Sequence, residues 1–129
     1  MAYFSFTQKI LAGQPIEVFG MGRMARDFTF IDDIVTGVVA ALDHPPTDGG
    51  HRVFNIGAGR PVGLMDMIAV LEGALGVEAV KQMRPMQPGD VTATHADVSK
   101  LATLTGYAPG IGIEEGLPRF VEWYRGRYG

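Results

Sequence analysis

The sequence predicts an α/β chain, or α+β if it folds as an isolated piece, and three observations carry that prediction. Apolar positions switch several times between a period near 3.6 and a period of 2 along the 129 residues, so helices and strands are interleaved. Glycine and proline, 18 and 8 of them, fall between the periodic runs as punctuation. The composition, 47% hydrophobic and 19% charged, is that of a globular protein, and a chain of this length can bury about two-thirds of its unfolded surface. Residues 1–129 are therefore expected to form a single domain.

The first element is a short helix with Tyr3, Phe6 and Ile10 at helical spacing, ending at Gly13 before Gln14 and Pro15. Two alternating runs follow, "IEVFG" and "RDFTFI", and the glycine-containing loop between them predicts a β-hairpin. In the second run Phe28 and Phe30 share one face, and Asp27, Thr29 and Ile31 the other. "DDIVTGVVAALDH" then carries Ile34, Val35, Val38, Val39 and Leu42 as an apolar helical stripe. Asp32 or Asp33 is placed to accept from its first free amides, and Pro45 and Pro46 stop it. After the loop "PPTDGGH", "RVFNI" reads as a strand, "GAGRP" as a loop and "LMDMIAVLEGALG" as a helix closed by Gly76. A strand around "VKQM" leads into the loop "RPMQPGDV". Asp97 is placed to cap the helix "VSKLATLTG". "IEEGLPRFVEWYRG" is the last helix, with Phe120, Val121 and Tyr124 inward and Pro118 near its first turn.

Charge and residue usage exclude several classes of function. Eleven basic against fourteen acidic residues leave a formal charge of −3, without the basic stripe that a nucleic-acid binder needs. There is no cysteine, so neither a disulfide framework nor a thiolate zinc site exists, and a reducing cytoplasm is the expected compartment. The apolar runs are too short to cross a bilayer and the N-terminus lacks the zones of a secretion signal, so no membrane partner is expected. His44, His51 and His95 lack ligand spacing, so no metal is expected. No serine or threonine occupies a nucleophile elbow, and the acid pairs Asp32/Asp33 and Glu114/Glu115 sit where helix starts attract negative charge. "NIGAGRPVG" approximates a dinucleotide fingerprint through Gly57, Gly59 and Gly63. Its last spacing is one residue too long, and no convincing second strand ending in an acid follows.

The stretch "GMGRMARDFTFIDDI" is different. Its glycines leave backbone amides accessible, and Arg26 stands at the start of a run where its guanidinium can reach out of a sheet. Such a corner suits a nucleotide, with backbone or the Phe19 ring at the base and the arginine fork on phosphate oxygens. A surface ion pair of Arg26 with Asp27 or Asp90 is the competing reading, and spacing alone leaves both open.

"RDFTFIDDIVTGVVAALDHPP", "VFNIGAGRPVGLMDMIAVLEGALG", "MQPGDVTATHADVSKLATLTGYAP" and "IEEGLPRFVEWYR" occur in the order and spacing of the C-terminal part of extended short-chain dehydrogenase/reductases. The chain resembles the NAD-dependent epimerase/dehydratase family over essentially its whole length, and looks most like the UDP-glucuronate 4-epimerase branch. The resemblance implies a C-terminal substrate-binding part of such an enzyme, lacking the N-terminal Rossmann half. It further implies a UDP-sugar as ligand, held at the uracil by the strand carrying Glu17, Val18 and Phe19, at the diphosphate by Arg26 and at the ribose by Asp90. Where UDP-galactose 4-epimerases carry a second arginine for phosphate, this sequence has Gln87, in the "MQPGDV" form similar to the glucuronate branch. Asn55 is implied to be structural.

Family members also carry a glycine-rich NAD-binding turn and a Tyr-x-x-x-Lys pair. Here Tyr3 is followed four places on by Thr7, Tyr107 by Ile111 and Tyr124 by Tyr128, while Tyr128 is one residue from the end. No catalytic and no cofactor-binding residue is therefore expected. NAD belongs to the intact family enzyme and is not expected to bind this chain alone, which should be inactive by itself. Met1 reads as internal to the family pattern, intact relatives are expected to be homodimers, and the missing half should leave an apolar flank at "RVFNI" and "LMDMIAVLEGAL". Two other readings remain at this point: a non-catalytic nucleotide-binding or interaction module, and part of a dTDP- or GDP-sugar dehydratase of the same superfamily.

Overall fold

The computed structural model describes residues 2–129. The chain runs α1 (Ala2–Leu11), β1 (Ile16–Val18), a 3-10 turn (Phe19–Gly22), β2 (Ala25–Asp27), α2 (Ile31–Leu42), β3 (Pro61–Gly63), α3 (Leu64–Leu75), β4 (Lys81–Met83), α4 (Ser99–Thr105) and α5 (Ile113–Tyr128). The class is mixed α/β, as the alternating periods predict. The helices stop where local chemistry stops them. Gly76 and Gly106 end α3 and α4 in the left-handed region, at φ 68° and 75°, each amide donating to the carbonyl four residues back. The Asp97 carboxylate accepts the Ser99 amide at 3.0 Å at the head of α4. Hydrogen bonds from Ser99, through its side chain and then its amide, hold the Asp97 carboxyl below its ordinary value.

The core is built around α3. Met67, Ile68 and Leu71 are fully buried against α1, α5 and β1, whose Ile16 and Val18 are fully buried as well. Arg125 of α5 donates to the Leu75 carbonyl at 2.7 Å and so satisfies the C-terminal end of α3. Leu71→Ala is expected to cost about 2–5 kcal/mol in urea denaturation, since the surrounding helices can only partly collapse into the space. A loss below about 1 kcal/mol would show that this core repacks. The Glu72 side chain on the same helix accepts from the Ala79 amide at 2.7 Å and pairs with Lys81. Burial pushes its carboxyl up, but the hydrogen bonds from Lys81 and Ala79 together with the Lys81 charge outweigh that and hold it below its ordinary value. A depressed carboxylate contributes stability that is complete above its unfolded value of about 4.3 and is lost as pH falls through the lower folded value. Glu72→Gln is expected to flatten the acid limb of the stability profile below about pH 4.3; an unchanged limb would show that this carboxylate does not govern it.

Four local expectations are corrected by the tertiary structure. The first is the hairpin: β1 and β2 do not pair. β1 lies parallel to β4, with Glu17 opposite Gln82, and β2 antiparallel to β3, with Arg26 opposite Val62. The turn between them is satisfied instead by the later loop, because the Arg84 amide donates to Val18 and the Met21 amide donates to the Arg84 carbonyl. Phe19 accordingly sits in the 3-10 turn and does not end a strand, and β2 stops at Asp27, before Phe28.

The second concerns "RVFNI", which forms no strand and pairs with none among the described residues, while Pro61–Gly63, from the last residue of the expected loop up to α3, does pair. The third concerns the acids of α2, whose N-cap position is Phe30 with no side-chain cap. Asp33 turns inward and accepts from the Gly110 and Ile111 amides at 3.1 and 2.9 Å, so it ties α2 to the segment before α5. The fourth is Pro118, which lies inside α5, beyond its first turn, on the exposed side. Within α5 Val121 and Tyr124 are buried as expected, whereas Phe120 is half-buried, packed edge-on against Tyr3.

The apolar flank also moves. Helix α3, expected to be open, is the centre of the core. Helix α2 is the open one: it buries only Asp33 and Gly37, while Ile31, Val35, Val38, Val39 and Leu42 are 48–75% exposed. The inward side is set by close packing, since a Cβ at Gly37 would lie 2.6 Å from the Ile56 side chain and 3.1 Å from the Tyr107 ring. A stripe of this kind ordinarily faces a core.

Candidate functional site

The loop after β4 curls over β2, and this brings Arg26 and Asp90 together. The Ala25 amide donates to Thr92 at 2.9 Å and the Thr94 amide donates back to Ala25 at 3.2 Å, which pins the loop alongside Arg26. Nη2 of Arg26 donates to Oδ1 of Asp90 at 2.9 Å, and Nη1 donates to the Ala25 carbonyl at 2.9 Å. Of the two ion pairs considered, the structure therefore makes the one with Asp90. Two of the five guanidinium donors are engaged by these bonds. Asp90 is oriented from its own loop: its amide donates to the Gln87 carbonyl at 3.1 Å and its carboxylate accepts the Val91 amide at 2.9 Å. The Gln87 side chain is exposed.

Glu17, Val18 and Phe19 stand on the other side of this loop. The Glu17 carboxylate accepts from Nε of Arg84 at 3.2 Å, with both side chains open to solvent. Val18 is fully buried, so only its backbone is available, and its carbonyl is taken by the Arg84 amide. Phe19 is half-buried against the core. A concavity of about 260 Å³ is walled by Gly20, Met21, Arg23 and Met24 on one side and by Pro85, Met86 and Thr92 on the other. A larger cleft of about 570 Å³ has Arg26 in its lining, with Tyr3, Phe28, Phe30 and Phe120. Arg26 thus presents its charge to one mainly apolar hollow and Arg23 to the other. The arrangement suits a ligand that combines an anionic group with flat or neutral parts.

Sequence reasoning missed two residues here. Arg23 is exposed on the wall of the smaller concavity and makes no ion pair with any described residue, so its charge is free for an anion. Asp27, placed by the alternation on the strand face opposite Phe28 and Phe30, is the junction of three segments. Its carboxylate accepts the amides of Ala58, Gly59 and Ala96 at 3.1, 3.0 and 2.9 Å, and its own amide donates to Thr94 Oγ1 at 3.1 Å. Thr29 Oγ1 also accepts from Ala58. The glycine-rich "GAG" loop therefore spends two of its amides on a carboxylate of the same chain. A negative side chain occupies the place where a dinucleotide pyrophosphate would sit, so these residues do not fit such a cofactor.

The remaining polar residues are structural in their contacts. The Tyr107 hydroxyl donates to the Gly57 carbonyl at 3.1 Å, and burial, with the charges of Asp33 and Asp27, raises its value above the ordinary phenol. Asn55 donates to the Asp97 carbonyl at 3.2 Å. Ring nitrogens of His44 and His95 lie at hydrogen-bond distance from the carbonyls of Ala40 and Gly59. Among the described residues no three side chains come together as metal ligands, and no helix is long and apolar enough to cross a membrane.

Comparison with known proteins gives this geometry a context. Residues 1–57 match the NAD dependent epimerase/dehydratase family. A probable UDP-glucuronate 4-epimerase of Rhizobium meliloti is 42% identical over 99% of this chain, and UDP-glucuronate 4-epimerase 2 of Arabidopsis thaliana is likewise 42% identical over 99%. The crystal structure of UDP-glucuronic acid 4-epimerase from Bacillus cereus, in complex with UDP-glucuronic acid and NAD, superposes on 99% of this chain with a TM-score of 0.89 at 35% identity. The chain spans 42% and 33% of the length of the two curated relatives and 40% of the solved one. By sequence and by fold, the chain resembles the NAD-dependent epimerase/dehydratase family, and its UDP-glucuronate 4-epimerases in particular.

Proposed function

We propose that this chain is the UDP-sugar-binding part of an NAD-dependent nucleotide-sugar 4-epimerase acting on UDP-glucuronate. The observation that carries the reading is Arg26 in the wall of the larger cleft, paired with Asp90 and with donors to spare, while Arg23, which makes no ion pair among the described residues, lines the smaller concavity. The diphosphate meets Arg26 through charge-assisted bonds, with Asp90 aligning the guanidinium and standing ready for a ribose hydroxyl. The uracil enters the smaller concavity beside the backbone of Glu17, Val18 and Phe19, with Gln87 on the loop that closes it. The sugar extends toward the larger cleft. Binding energy gathered at the UDP handle then positions a sugar carbon some distance away.

In an epimerase of this class NAD supplies the hydride chemistry at C4 of the sugar. No step through it is assigned to the residues of this chain, because Asp27 fills the one glycine-rich loop that approximates a dinucleotide site. The exposed face of α2 supports the same division. An apolar helix face beside residues 52–56, which pair with no strand among the described residues, is the surface expected where another layer of structure packs. The complementary part is an N-terminal Rossmann half of the kind the resemblance implies, and the assembled enzyme is a homodimer.

Calorimetric titration with UDP, dTDP and GDP tests the reading, first on the 129-residue chain and then with the unmatched portion of the Rhizobium meliloti relative supplied as a separate polypeptide. Weak UDP binding that tightens in the mixture, preference for UDP over the other two, and no turnover by the chain alone are the expected results. Epimerisation by the isolated chain, or no UDP binding even in the mixture, would overturn it. Preference for dTDP or GDP would favour a sugar dehydratase instead.

A further inference from the structure

The smaller concavity has a thioether rim that the proposed function leaves unused. The sequence holds seven methionines, and six of them lie among the described residues. Five of those six surround the turn Phe19–Gly22: Met21, Met24 and Met86 line the concavity, and Met65 and Met83 pack against Gly22. Only Met67 belongs elsewhere, in the centre of the core. Methionine is usually buried, yet Met21, Met65, Met83 and Met86 are 37–48% exposed.

These side chains also set the shape of the turn. Gly20 and Gly22 have φ of 62° and 75°, and Met21 between them is left-handed too, at 52°, a conformation that costs a non-glycine residue energy. A Cβ on Gly22 would lie 2.9 Å from Sδ of Met65 and 3.1 Å from Cε of Met83, and one on Gly20 would lie 3.0 Å from Sδ of Met24. The sulfurs therefore fill the space that the glycines leave. The turn is held on the other side by the bonds from the Met21 amide to Arg84 and from the Arg23 amide to Gly20, at 3.0 and 3.1 Å.

We propose that this rim is an oxidative modification site through which a peroxide weakens nucleotide binding; the second half of that statement rests on the base of UDP occupying the concavity. A sulfur lone pair attacks one oxygen of hydrogen peroxide, the O–O bond breaks and an S–O bond forms. The departing oxygen takes up the proton of the transferred hydroxyl and leaves as water. Sulfur is oxidised by two electrons and the peroxide is reduced by two. The sulfoxide is polar and carries one more atom than the thioether. On Met65 the added oxygen enlarges a side chain that already fills the space beside Gly22 and so presses on the turn; on Met21 and Met86 it turns an apolar wall polar.

The test treats the 129-residue chain with hydrogen peroxide, maps the sulfoxides by peptide mass spectrometry, follows hydrogen exchange at the Met21 and Arg23 amides, and titrates UDP. Sulfoxides are expected at Met21, Met65, Met83 and Met86 before Met24 and Met67, with faster exchange at both amides and a UDP Kd raised about five-fold or more. In the variant M21L/M65L/M83L/M86L the Kd before and after peroxide should agree, whatever its starting value. Oxidation of Met67 as early as the rim, or unchanged exchange at the two amides with the rim fully oxidised, would overturn the proposal whether or not UDP binds. An unchanged Kd under full rim oxidation, or an equal response in the leucine variant, would overturn its effect on binding. A chain that binds no UDP before treatment, even with its complement, counts against the proposed function, while mapping and exchange still decide the modification.

Discussion

Arg26→Ala is expected to weaken UDP binding roughly 10- to 150-fold, the loss of about 1.5–3 kcal/mol that a charge-assisted hydrogen bond carries. The guanidinium lines the larger cleft with Asp90 holding one of its nitrogens, so its removal strikes the anionic part of the ligand and leaves the apolar walls in place. Folding should suffer much less, because the Arg26–Asp90 pair is partly open to solvent and pairs of that kind contribute little. Arg26→Lys should recover only part of the affinity, since an ammonium cannot present the planar fork. Calorimetry reads the affinity and thermal unfolding reads the fold. Unchanged affinity in Arg26→Ala would mean that the Asp90 ion pair is all that this arginine does.

The second large effect is expected at α2. The double substitution V35D/V38D should leave the isolated chain folded, because both side chains already face water, and should abolish its association with a complementary epimerase portion. Two valines lost from an interface correspond to about 3–6 kcal/mol of apolar burial, a weakening of more than about 100-fold before the cost of burying the new carboxylates is added. Size-exclusion chromatography of the mixture measures it. The same experiment on the chain alone shows whether the open face drives self-association, which the aspartates should then suppress. Co-elution of the double variant with the complement would show that the interface lies elsewhere.

The helices and the site were legible in the sequence to different degrees. Glycine at the end of α3 and the apolar spacing in α5 act within a turn or two, and the structure shows both in place, whereas Val98 holds the N-cap position of α4 and Asp97, one residue earlier, accepts the Ser99 amide. The site was legible chiefly through resemblance: "RDF" and "QPGD" mark Arg26 and Asp90, which the fold brings to 2.9 Å across a separation of 64 residues. Asp27 was not legible. Alternation puts it on a strand face, and nothing nearby in the chain says that its carboxylate will collect amides from residues 58, 59 and 96. Arg23 was overlooked because a lone arginine after glycine carries no signal until the opposite wall is known.

By itself the sequence determined where most helices lie and end and the interleaving of α and β, and its blocks carried the family resemblance. The elements follow from periodicity and from glycine at helix ends, whose interactions reach only a few residues along the chain. The tertiary structure alone decided which strands pair, that α2 turns its acid and glycine inward and its valines out, and that the glycine-rich loop is satisfied by Asp27. Those outcomes depend on which donors and acceptors, tens of residues apart, end up facing each other when backbone groups must find partners, and local propensity carries no record of that competition.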